Sequence, residues 1–193
     1  MLTNNTILIV DFEATCESNE NYLPRYKMEI IEIGAIKVSL PDFTIIDSFQ
    51  RFIKPLRTPV LTNFCKQLTG ITQAEVDKAD IFYNVASDFF EWCWNIDEPI
   101  AWASWGMYDF HQLNQDCEHY FLDNELLLIQ HLNLKNLYGD AANGRRRGLK
   151  NAALEQGSKF QGRHHRALDD ALNALNIINA MPKFKKLLIK ELL

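Results

Sequence analysis

The chain has 193 residues, 47% of them hydrophobic, and a formal net charge of −5. That length fits one domain with a substantial core, and no run of 18 or more apolar residues offers a membrane span. The acidic balance argues against a protein that coats nucleic acid through charge alone. Near the N-terminus, Ile7-Leu8-Ile9-Val10 runs into Asp11-Phe12-Glu13. Four β-branched or aliphatic residues in a row predict a strand buried on both faces. Glu29–Ser39 and Thr44–Ile53 predict two more strands joined at Pro41-Asp42, and so an antiparallel meander.

Leu61–Gly70 predicts a short helix capped by Thr62 or Asn63 and stopped by Gly70. Thr72 and Glu75 have the spacing of a capping box. Ile81–Trp94 carries apolar residues at helical spacing, and its extra aromatics fit core filler. Pro99–Trp105 predicts a fourth strand and Tyr108–Tyr120 a helix. Leu126–Leu134 is strand-like, although a short apolar run fits either type. Asn136–Asn143 reads as a helix end or loop, and Gly148–Gln156 as a short helix. Ala167–Ala180 is the strongest helix, closed by Pro182, with a final basic and apolar helix from Phe184. Strands that lead and then alternate with helices predict an α/β fold, a mixed sheet with helices on its faces. One domain is expected over 1–193, with its core at about 6–181 and a short helical tail. The four cysteines (Cys16, Cys65, Cys93 and Cys117) form no Cys-x-x-Cys pair. With no secretory leader in view, they fit reduced residues of a cytoplasmic protein.

The chemistry starts at the end of the first strand. Residues two apart on a strand share a face, so Asp11 and Glu13 point the same way. Two carboxylates at a buried strand end are costly unless neutralised, and hard cations are the usual remedy. Asp109 follows the fourth strand at a helix start, the edge of an α/β sheet where sites collect. Asp169 and Asp170 open the strongest helix. Taken singly, each of these three acids is equally explained as a first-turn acid facing the helix dipole. His165 precedes Asp170 by five residues, and a neutral imidazole there can take a proton from water. Basic residues cluster at Arg145, Arg146, Arg147 and Lys150, and again at Arg163 and Arg166.

In order along the chain stand Asp-Phe-Glu-Ala-Thr-Cys, Glu-Ile-Ile-Glu-Ile-Gly-Ala, Phe-Cys-x-x-Leu-Thr-Gly-Ile, Gly-x-x-Asp and His-x-x-x-x-Asp. This series resembles the DEDDh exonucleases of the ribonuclease H-like fold, within them the Eri-type 3′–5′ exoribonucleases. The resemblance covers about Thr6 to Ala180. It implies a mixed five-stranded sheet flanked by helices. It implies that Asp11, Glu13, Asp109 and Asp170 hold two Mg²⁺ or Mn²⁺ ions and that His165 is the general base. It also implies that the backbone at Ala14 and Thr15 holds the terminal nucleotide and that Phe64, Leu68 and Tyr108 contact its base or sugar. The expected substrate is a single-stranded RNA or DNA 3′ end, RNA preferred, and the product a nucleoside 5′-monophosphate. Arg145 to Arg147 and Arg163 are expected on upstream phosphates. A DNA exonuclease and a catalytically inactive nucleic-acid-binding regulator are the competing expectations.

Overall fold

A computed structural model describes residues 5–18, 21–95 and 98–192. Its centre is β1 (Thr6–Ala14), the middle of a five-stranded sheet. β2 (Ile30–Ser39) and β3 (Thr44–Phe52) extend the sheet antiparallel on one side. β4 (Pro99–Ser104) and β5 (Gln130–Asn133) extend it parallel on the other, giving the order β3-β2-β1-β4-β5. The two-sided burial expected of β1 follows from helices on both faces. Ile7 and Ile9 join the core shared with the last long helix, α7 (Ala167–Ala180). Leu8, Val10 and Phe12 join an aromatic core built on α3 (Phe82–Trp94).

Capping residues set the short helices where the sequence places them. Thr62 accepts from the Cys65 N–H at the start of α1 (Asn63–Thr69), and Gly70 ends it in the left-handed region at φ 74°. The Thr72–Glu75 capping box is formed at α2 (Gln73–Lys78). α4 (Tyr108–His119) follows β4.

The segment 126–143 resolves differently from its periodicity. Leu126 is buried in a 3₁₀ turn, Glu125–Leu128, and Leu127 and Leu128 face solvent. Only Gln130–Asn133 pairs as strand. The Asn133 side chain then caps Asn136 N–H, so a full helix, α5 (Leu134–Ala141), begins where a helix end or loop was expected. A two-residue local signal, an Asx cap, overrides the apolar run. α6 (Leu149–Glu155) comes next. Pro182 opens a helix rather than only closing one: it stands at the first turn of α8 (Pro182–Glu191), where its missing N–H costs nothing. Phe184 and Leu188 of α8 are buried in the core shared with α5 and α7.

What brings the distant parts of the chain together is the seat of α7 on β2. Gly34 faces the first turn of α7 so closely that a Cβ there would lie 2.1 Å from Leu168 N. Glu32, two residues earlier, is fully buried and accepts from Arg166 Nη2 (3.0 Å), Arg166 Nε (3.1 Å) and Ala167 N–H (3.1 Å). It therefore satisfies an orphan donor of the helix start and pairs a guanidinium at once. Opposite these two residues on β1 stand Asp11, paired with Gly34, and Glu13, paired with Glu32. Replacing Glu32 with Ala leaves a partly buried guanidinium and an N–H without partners. We expect a loss of about 3–5 kcal/mol, read as a lower midpoint in urea at unchanged slope. A loss below about 1 kcal/mol would mean that the pair does not anchor α7.

Candidate active site

Asp11 and Glu13 share the β1 face that carries Ile7 and Ile9, the side on which α7 lies. α7 presents Asp170, buried, from its first turn. The β1–β4 pairing stops at Ile9 and Ala103, so the Phe12 N–H lies beyond it. That donor goes to the Asp109 carboxylate at 3.0 Å, from the first turn of α4. One oxygen from each of Asp11, Glu13 and Asp170 falls within 4.8 Å of the others. Asp109 lines the same cleft of about 410 Å³, with both His164 and His165. The four acids from β1, α4 and α7 therefore converge as their spacing alone could not establish.

Their electrostatics are those of acids gathered without a counter-charge. Burial, then Asp109, Glu13 and Asp170, hold the Asp11 carboxyl well above the ordinary carboxylate range. Burial, then Asp170, does the same for Glu13. Asp109 is pushed up to about 6 by burial, against the opposing hydrogen bond from Phe12. Among the described residues no ion pair neutralises Asp11, Glu13 or Asp109, and the Arg166 guanidinium at the start of α7 is committed to Glu32. An all-oxygen, uncompensated carboxylate group suits hard divalent cations.

The sign of the pH dependence follows. A raised folded-state pKa means that the folded chain holds more protons than the unfolded one. Stability of the metal-free protein then falls as pH rises, for Asp109 between about pH 4 and 6. Mn²⁺ should restore it, so the rise in melting temperature on adding Mn²⁺ should be larger at pH 8 than at pH 5. Equal rises at both pH values would show that the ion binds elsewhere.

His165 sits in the left-handed region at φ 67° and is half-buried. Burial, then the neighbouring His164, lowers its pKa, which favours the neutral form of the imidazole. Its backbone N–H donates to Asp170 at 3.3 Å. The side chain on Asp170 is that of His164, whose Nδ1 lies 3.1 and 3.2 Å from the two carboxylate oxygens. Counting five residues from Asp170 finds His165 alone; the signal for its neighbour was the His-His doublet itself.

The residues expected at the terminal nucleotide divide. Ala14, Leu68 and Tyr108 line the cleft, as do Met28, Trp105 and Lys135, which the sequence did not single out. The Thr15 side chain is buried, its hydroxyl accepting from Glu29 N–H at 3.0 Å. Phe64 is 37% exposed on α1 and lies outside the cleft lining. Of the arginines, Arg163 donates to Gln67 O at 2.9 Å and Arg147 pairs with Glu155 at 2.5 Å. Arg145 and Arg146 remain exposed.

The profile of the Exonuclease family, RNase_T, matches residues 8–178. The chain belongs to the RNase_T exonuclease family. It is 32% identical to the "Probable 3′-5′ exonuclease KapD" of Bacillus subtilis, over 98% of this chain and 90% of that protein. It is 34% identical to human "3′-5′ exoribonuclease 1", over 89% of this chain and 50% of that one, so it spans about half the human protein. Among solved structures, the nuclease domain of 3′hExo, described as a DEDDh family member bound to rAMP, superposes with a TM-score of 0.81 at 30% identity. That superposition covers 90% of this chain and 89% of the other. The mixed five-stranded sheet is thus the ribonuclease H-like fold of DEDDh exonucleases, and the family is one of 3′–5′ exonucleases and exoribonucleases.

Proposed function

We propose that this chain is a divalent-metal-dependent 3′–5′ exonuclease that acts on single-stranded 3′ ends, prefers RNA and releases nucleoside 5′-monophosphates. The observation that carries the reading is the meeting of Asp11, Glu13, Asp109 and Asp170 in one cleft beside His165. In this reading those four residues hold two Mg²⁺ or Mn²⁺ ions, which supply charge stabilisation to an in-line displacement at phosphorus and lower the pKa of the attacking water. His165 accepts the proton from that water. Leu68 and Tyr108 wall the terminal nucleoside, with Ala14 at the strand end. Phe64 stands one turn before Leu68 on α1 and is partly exposed. In this reading Arg145 and Arg146, both exposed, meet upstream phosphates. Support for RNA comes from the similarity to exoribonucleases and to a nuclease domain that holds rAMP. The net charge of −5 favours short strands over extended phosphate tracts.

The test is parallel digestion of RNA and DNA oligonucleotides of one sequence, labelled at the 5′ end, with Mg²⁺. The expected result is a ladder shortening from the 3′ end, 5′-mononucleotide products, and faster loss of RNA. Faster loss of DNA would overturn the preference, and internal cuts would overturn the exonuclease reading.

A further inference from the structure

Hydrolysis as proposed uses one imidazole, yet two line the cleft. Successive side chains normally diverge, and the left-handed turn at His165 brings the His164 and His165 rings together instead. The rings stack with centroids 3.9 Å apart and 23° between their planes. One nitrogen from each ring and one Asp170 oxygen lie within 4.8 Å of one another. All three residues face the cleft, and Phe160, 5.2 Å from the His164 ring, flanks the pair.

We propose that His164, His165 and Asp170 form a second cation site, selective for Zn²⁺, and that Zn²⁺ bound there inhibits the nuclease. The two clusters differ in donor chemistry. Asp11, Glu13 and Asp170 offer oxygen only, which suits Mg²⁺. Two imidazole nitrogens and one carboxylate oxygen suit Zn²⁺, with the fourth tetrahedral position left to water. Ligation requires the ion in the plane of each ring, along the nitrogen lone pair. Binding therefore draws the rings out of their stack, and ligation through Nδ1 of His164 replaces its contact with Asp170. Because both clusters draw on Asp170, a Zn²⁺ ion removes one carboxylate and the His165 base from the hydrolytic arrangement together. The inhibition rests on the proposed function; the binding does not.

Zn²⁺ affinity is measured on the metal-free 193-residue chain, without nucleic acid, by competition with a chromophoric chelator. One equivalent should bind to the natural chain and to Asp11→Asn. His164→Ala and His164→Gln should weaken it by at least about tenfold, the scale seen even for outer partners of a metal site. Their melting temperatures show whether they fold. Zn²⁺ should shift the ring protons of His164 and His165 and leave those of His111, His119 and His131 in place. In excess Mg²⁺, the Zn²⁺ concentration for half-inhibition should rise by the same factor in the His164 variants. Absence of Zn²⁺ binding, or equal binding by folded His164 variants, would overturn the site. Binding that depends on His164 with inhibition that does not would overturn the inhibitory role. A chain that binds Zn²⁺ through His164 and digests no oligonucleotide would overturn the proposed function and leave the site standing.

Discussion

Replacing Asp170 with Asn is expected to lower mononucleotide release by about 10³-fold or more. A bound ion contributes several kcal/mol to an in-line displacement, and each 1.36 kcal/mol is a factor of about ten. Asp170 is the residue on which the site closes: its carboxylate meets Asp11 and Glu13 from α7, which lies on the sheet face they share. The amide keeps the volume and the hydrogen bond near His164 but loses the charge. The variant should therefore fold, and in the metal-free state melt no lower than the natural protein, because one of several crowded acids is gone. Its response to Mn²⁺ should shrink in step with activity. Full activity in a folded Asp170→Asn chain would remove the carboxylate from the chemistry.

The second large effect is on the proton. His165→Ala should slow cleavage by about 10²–10⁴-fold, the range for loss of a positioned general base. It should leave the stabilisation by Mn²⁺ close to that of the natural chain, since His165 belongs to none of the all-oxygen ligands. His165 is assigned this role over His164 because the Nδ1 of His164 is engaged with Asp170. Single-turnover rates separate the step from binding. If His165→Ala abolishes the Mn²⁺ response instead, the imidazole acts on the ions and not on the water.

Much of this site was legible in the sequence because its parts obey short-range rules. Asp11 and Glu13 must share a face on any strand, and Ile7 to Val10 make the strand central. Ala167–Ala180 matches α7 at both ends, since no Gly or Pro interrupts an Ala- and Leu-rich period. What spacing could not supply was distance. Asp109 is fixed by an N–H at Phe12, 97 positions away, freed only because β4 is shorter than β1. The seat of α7 depends on Gly34 and on a buried Glu32–Arg166 pair, residues that read locally as strand and as a basic loop. Thr15 carries a duty that its place after the acid pair does not reveal: its hydroxyl closes the start of β2 by accepting from Glu29 N–H. His164 went unassigned because nothing in a linear count reveals that a left-handed turn stacks two neighbouring rings.

The central claim is that four acids from β1, α4 and α7 hold a pair of ions. A crystal grown with Mn²⁺ and a nucleoside 5′-monophosphate, recorded at the manganese edge, tests it directly. The account predicts two anomalous peaks about 4 Å apart, bounded by Asp11, Glu13, Asp109 and Asp170, with His165 facing the phosphate. No peak among these residues, or an Asp109 side chain turned from the other three, would contradict it.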